Sequence, residues 1–133
     1  MHMEQTFKAA TALAGAAASY LWGGWTSLLG ILLAFVIIDF VTGLMASAIE
    51  GRLSSNIGFL GIPRKMTIFL IVAVAHLVDV ALGNGNMVRD ATIFFYLANE
   101  LISIIENSGR IGLPVPDPIK NAVAILKGKE GGK

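Results

Sequence analysis

The chain of 133 residues contains no cysteine, and it is short of histidine and of charge. The absence of cysteine excludes a disulfide scaffold, thiol catalysis and cysteine metal sites. Only two histidines are present, and one of them, His2, lies at the terminus. The sequence also lacks a nucleophile–base–acid set, a phosphate-binding glycine loop, a dinucleotide glycine pattern and a zinc-ligand spacing. We therefore expect a protein that is not an enzyme and that binds no metal or cofactor.

Charged residues make up 14% of the chain, against about 25% in an average soluble domain, while hydrophobic residues make up 55%. The mean hydropathy is +0.72. All ten basic residues lie outside the three longest apolar runs, whereas four acids lie within them: Asp39, Asp79, Glu100 and Glu106. This segregation indicates an integral membrane protein. The basic tail has no interleaved aromatic residues, so nucleic-acid binding is not expected.

The predicted membrane spans are 22–49, 66–83 and 87–107, and each of them contains one of these apolar runs. The third run is shorter and carries Asn99 and Glu100, which makes it marginal on hydropathy alone. The GNGN sequence at 83–86 predicts a tight turn, so the second and third spans should form an antiparallel hairpin.

The segments outside these runs have different compositions. Residues 50–65 are rich in glycine and serine and predict a loop, with Pro63 in the first turn of the next helix. In the tail, 108–133, three prolines at alternate positions favour an extended segment, and the final KGKEGGK predicts disorder. The alanine-rich stretch 6–21 predicts a helix that either lies in the membrane interface or crosses as a fourth span. The predicted fold class is an all-α integral membrane protein with three spans, this N-terminal helix and a basic C-terminal tail.

The distribution of basic residues predicts the orientation. The loop 50–65 and the tail carry nearly all the cations near the spans, and only Arg89 lies in the hairpin turn. By the positive-inside rule, the loop and the C-terminal tail are cytoplasmic. The N-terminus is then outside with three crossings and inside with four.

The polar residues inside the apolar runs are the candidate functional residues. A charge at mid-bilayer costs about 2.5–3.5 kcal/mol, so each acid needs a partner, water or a proton. In the third span, polar residues follow Tyr96 at three, four, seven, ten and eleven positions, which places all six on one stripe of the helix. The opposite face is apolar and includes Ile93, Leu97 and Leu101. In the second span, Asp79 follows His76 by three residues, which predicts a hydrogen-bonded pair. In the first span, the small and polar residues Asp39, Thr42 and Gly43 allow another helix to approach closely. The candidates for lining a pore or an oligomer interface are Asp39, Thr42, Gly43, His76, Asp79, Tyr96, Asn99, Glu100, Ser103, Glu106 and Asn107.

Two of these candidates have a simpler interpretation. Glu106 and Asn107 also fit the water-facing end of a short helix.

Several local patterns occur in a characteristic order along residues 20–120: GGW, IDFVTGLMA, GRLSSNIGFLGIPRK, AHLVD, FYLANELISIIEN and GLPVP. In this order the chain resembles the phage lysis holin family that also includes the toxin-secretion holins of clostridia. The most specific pieces are Asp-x-x-Thr-Gly and Asn-Glu-x-x-Ser-x-x-Glu-Asn. The matching signature positions are Asp39, Thr42, Gly43, Ser54, Ser55, Gly58, Gly61, Lys65, Asn99, Glu100, Ser103, Glu106, Asn107, Gly112, Pro114 and Pro116.

The resemblance implies a small protein of the bacterial cytoplasmic membrane that accumulates and then oligomerises into lesions. Such lesions release a phage endolysin, or a toxin, and trigger host lysis. The implied partners are copies of the chain itself, the lipid bilayer, endolysin as cargo without specific binding, and an antiholin where one exists. The alternatives are a small proton-coupled transporter or channel that uses Glu100 or Asp79, and a membrane anchor whose tail docks a partner.

Overall fold

The computed structural model describes residues 1–130, and all regular secondary structure within them is helical. The predicted all-α class is confirmed. Five helices follow one another: α1 (His2–Trp22), α2 (Ser27–Ile49), α3 (Ser55–Leu82), α4 (Met87–Ile111) and α5 (Asp117–Glu130).

Helices α2 and α3 are long and apolar enough to cross a membrane, and they are the two helices within residues 1–130 that meet both criteria. Most of their apolar surface is not covered by the rest of the chain. Large side chains such as Ile37 and Leu70 are 52% and 60% exposed. Contiguous apolar surface of this extent is unfavourable in water and suits lipid. The prediction of three or four crossings, which needs α4 or α1 as well, stays a prediction.

Helix α4 is the central helix of the bundle, because it packs along α2 and α3 on one side and against α5 on another. Direct contact between α2 and α3 is slight. The core between the three helices contains Leu29, Leu32, Val72, Ile93 and Leu97, all at most 2% exposed. The α3–α4 turn occurs as predicted, with Gly83 in the left-handed region at φ 70°.

The predicted loop 50–65 is wrong beyond residue 54, because α3 already begins at Ser55. Gly58 and Gly61 are packing positions within the helix. A Cβ at Gly61 would lie 3.1 Å from the Phe40 ring, so the glycine lets α3 approach that side chain. Pro63 lies inside α3 and not in its first turn. Membrane helices tolerate such a proline when neighbouring groups satisfy the freed carbonyl.

The predicted extended tail is wrong from residue 117 onward, because α5 is helical there. Pro118 lies in the first turn, where its missing N–H is not needed. Val123 and Leu126 lie half-buried on one side of α5, and Leu126 packs against the core. The disorder predicted for the final seven residues does not hold for 127–130, and 131–133 lie outside the described residues.

Helix α1 meets the bundle only near its C-terminal end. Its side chains are exposed along most of its length, but the Trp22 Nε1 donates a hydrogen bond to the Phe69 carbonyl at 2.9 Å. Trp25, just beyond α1, stacks on the Phe69 ring with a centroid distance of 6.3 Å. Trp22 and Trp25 therefore anchor the entry to α2 on α3.

Candidate functional site

Four polar side chains from three helices meet inside the bundle, and we call them the polar cluster: Asp39 of α2, Lys65 of α3, and Glu100 and Asn107 of α4. The Lys65 ammonium joins the two carboxylates. Its Nζ donates to the Asp39 Oδ2 and lies 2.9 and 2.7 Å from the two oxygens of Glu100. Lys65 therefore ties α3 to both of its neighbours.

Asn107 provides the direct connection between α2 and α4. Its Nδ2 lies 2.9 Å from the Asp39 Oδ1, 3.1 Å from the Asp39 carbonyl and 3.0 Å from the Thr42 Oγ1. A Cβ at Gly43 would lie 3.5 Å from the same Nδ2, so the glycine leaves room for the amide. The two most specific sequence motifs thus meet in space.

Burial makes these contacts energetically important. Asp39 and Glu100 are each 5% exposed, and the Lys65 side chain is 25% exposed. The expectation that an acid in an apolar span needs a partner is met for both carboxylates. One ammonium serves two carboxylates, so the cluster has an excess of acid. Within residues 1–130, no three histidine, aspartate or glutamate side chains come together as a metal-binding group.

The predicted polar stripe on the third span is buried only in part. Glu100 and Asn107 are buried, Tyr96 and Ser103 are half-buried, and Asn99 and Glu106 are exposed. The apolar face predicted to lie opposite is buried together with Glu100, at Ile93, Leu97 and Leu101. The six side chains share the predicted register, but their stripe is buried along one edge and exposed along the other. Because α4 packs against three helices, its buried surface is wider than one stripe.

The second-span pair lies near the α3–α4 turn and does not form the predicted hydrogen bond. The Asp79 carboxylate, 1% exposed, accepts from the backbone amides of Val88 and Arg89 at 2.9 and 2.8 Å. It therefore caps the start of α4 and leaves His76 aside. His76 is 9% exposed, and its Nδ1 has no hydrogen-bond partner within the described residues.

Two contacts of the bundle were not predicted from the sequence. Lys65 was assigned to the loop, although it shares a helix face with Phe69 and Val72, and that register was the available signal. Arg89 was assigned to the turn, yet it is 5% exposed and its Nη1 donates to the Trp22 carbonyl at 2.8 Å. No periodic pattern in the sequence relates Arg89 to a residue 67 positions earlier.

An ion pair closes the other end of the bundle. The Arg110 Nη2 lies 2.6 Å from the Glu50 Oε1, just beyond the end of α2. The hydrogen bond from Arg110 and its positive charge hold the pKa of Glu50 below its ordinary value of 4.5. This pair joins the ends of α2 and α4 at an exposed position.

Comparison with known proteins shows which family the sequence matches. Residues 16–128 match the model of the bacteriophage holin family. An uncharacterised protein of Halalkalibacterium halodurans is 49% identical over 133 residues, with 96% of this chain and 98% of the relative covered. A protein of Bacillus phage phi105 named "Probable holin" is 34% identical over 111 residues, covering 84% of this chain and 82% of the phage protein.

A further relative is an uncharacterised 14.9 kDa protein of Clostridium perfringens, 37% identical over 84% of this chain and 86% of its own length. No solved structure matches the chain.

Proposed function

This chain belongs to the bacteriophage holin family, and from that membership we propose that it accumulates in the bacterial cytoplasmic membrane and oligomerises into lesions that release an endolysin. A toxin is the alternative cargo. The released protein passes through the lesion without a specific binding site on this chain. Loss of cell-wall integrity then lyses the host.

The polar cluster is the observation that carries this proposal beyond family membership. A dispersed chain buries Asp39, Lys65 and Glu100 inward, while apolar side chains of α2 and α3 face outward. In a water-filled lesion, part of the helix surface faces water instead of lipid. Helices that exchange contacts within one chain for contacts between chains can turn the same polar groups toward water, where charged groups no longer need to be paired.

The test is inducible expression in bacteria together with an endolysin that has no secretion signal of its own. We expect lysis only when both proteins are present, and release of a folded cytoplasmic reporter protein at lysis. A transporter would instead give saturable flux of a small solute through a defined small oligomer in liposomes. A membrane anchor would give neither. Failure to release folded protein from membranes that contain the chain would refute the proposal.

The ionisation of Glu100 is tested in the same cells. Glu100→Gln keeps the shape of the side chain and removes its attraction to Lys65, so we expect altered lysis timing with unchanged membrane insertion. The matched control is Glu106→Gln, on the same helix but at an exposed position. Wild-type timing in Glu100→Gln would show that this charge has no part in triggering.

We also propose that the 50–54 loop and the C-terminus are cytoplasmic. Because the wild type has no cysteine, single cysteines at Ser55, Asn84 and Ser108 can be probed with a membrane-impermeant maleimide in intact cells. Only Asn84→Cys should label, and labelling of the other two instead would reverse the assignment. A cysteine at Met3 then separates three crossings, which leave it accessible from outside, from four, which protect it.

A further inference from the structure

A cavity of about 550 Å³ opens between α2, α3 and α4, beside the polar cluster and toward the 50–54 loop. Part of the cavity wall is formed by three small residues, Gly43 and Ser47 of α2 and Gly61 of α3. Because α2 and α3 make little direct contact, the space between them is not closed by side chains. The cavity is large enough for a polar headgroup with the first atoms of its chains.

The polar part of the lining has an excess of hydrogen-bond donors suited to an anion. Arg64 and Arg110 both line the cavity. Within residues 1–130, Arg64 is exposed and makes no hydrogen bond or ion pair, whereas Arg110 pairs with Glu50. The one acid in the lining, Asp39, is already engaged through both oxygens, by Lys65 and by Asn107. The part of the chain that the structure describes therefore supplies no anion to the Arg64 guanidinium.

The remaining lining is apolar and continuous with the surface that suits lipid. Phe40 and Leu44 of α2 and Ile57 and Leu60 of α3 line the same cavity. Leu60 is 54% exposed, and the neighbouring Phe59 is 77% exposed. A ligand that carries both an anionic group and an apolar chain matches this arrangement, and a phospholipid has both.

We propose that this cavity binds the phosphate group of an anionic phospholipid, with Arg64 as the principal ligand and Arg110 as the second. A guanidinium presents paired donors that match phosphate oxygens, and basic pockets between membrane helices bind anionic headgroups in this way. A zwitterionic headgroup fits less well, because its cationic end would lie near two arginines. The proposal requires only that the chain lies in a membrane, so it does not depend on lysis.

The test is native mass spectrometry of the purified full chain in mild detergent with equal amounts of phosphatidylglycerol and phosphatidylcholine. We expect one phosphatidylglycerol to be retained preferentially. Arg64→Gln should weaken that retention about fivefold, the factor that about 1 kcal/mol per basic residue gives. Arg64→Lys should keep only part of it, because the charge remains but the paired guanidinium donors are lost.

The control is Arg52→Gln, which removes an exposed cation of the adjacent loop that does not line the cavity. Equal loss in Arg52→Gln and Arg64→Gln would overturn the site and indicate general charge attraction. Equal retention of the two lipids would overturn the choice of an anionic headgroup. Displacement of the lipid by millimolar inorganic phosphate would show that free phosphate is the ligand. Arg64 contacts no other charged group among residues 1–130, so Arg64→Gln should unfold at the wild-type temperature.

Discussion

Replacement of Lys65 with methionine should destabilise the bundle more than any other single change of a polar residue. Methionine fills a similar volume but cannot donate to Asp39 or Glu100. Both carboxylates then lie buried, 5% exposed, without a cation. They also lie close to one another, since both contact the same Nζ in the wild type.

The expected size follows from the burial of the three side chains. Removal of one partner from a buried ion pair costs about 3–5 kcal/mol, because the remaining charge is uncompensated. The Asn107 amide still donates to the Asp39 carboxylate in this variant, which offsets part of this cost. We therefore take the lower end, about 3 kcal/mol, which corresponds to roughly a hundredfold change in the unfolding equilibrium.

The free energy of unfolding can be measured in mild detergent by titration with a denaturing detergent, followed by tryptophan fluorescence. A triple variant that combines Lys65→Met with Asp39→Asn and Glu100→Gln should recover to within about 1 kcal/mol of the wild type, because no charge remains in the polar cluster. Lys8→Met, at an exposed lysine of α1, should change stability by less than about 0.5 kcal/mol. The reasoning is refuted if Lys65→Met is as stable as Lys8→Met.

Three further predictions concern other contacts of the bundle. Gly43→Leu should displace the Asn107 amide. We expect the variant to accumulate normally, to lyse late or not at all, and to cross-link only into small oligomers. Unchanged high-order cross-linking would contradict this prediction. Asp79→Ala should cost about 2–3 kcal/mol and speed hydrogen exchange at the first amides of α4, because one buried and one part-buried amide lose their acceptor. Wild-type exchange rates would exclude the capping role. The hydrogen bond from Arg110 lowers the pKa of Glu50. The contribution of this pair to the stability of the fold is therefore present above pH 4.5 and is lost as the pH falls further. The difference in unfolding temperature between the wild type and Glu50→Gln should therefore shrink from pH 7 to pH 3, and a constant difference would show that the pair adds nothing.

The sequence predicted the elements whose signal is local. A long apolar run with a single interrupting charge predicted α2, and the glycines and asparagines at 83–86 predicted the turn before α4. The same local signals failed where glycine serves packing. Gly58 and Gly61 indicated a loop, but in the structure they face the Phe40 ring within α3. In the sequence, a glycine in a loop and a glycine at a helix-packing position look the same. Only the presence of a neighbouring helix in the structure distinguishes the two roles.

The candidate site shows the same division. Hydropathy alone identified Asp39 and Glu100 as acids that need partners, because a charge in an apolar run is costly wherever the helix packs. The partner, Lys65, and the amide of Asn107 are 26 and 68 residues from Asp39. Helix periodicity relates residues within one helix, and it carries no information on which faces of separate helices meet. The sequence by itself therefore determined which side chains must be satisfied, and only the packing of α4 between α2 and α3 decided which groups satisfy them.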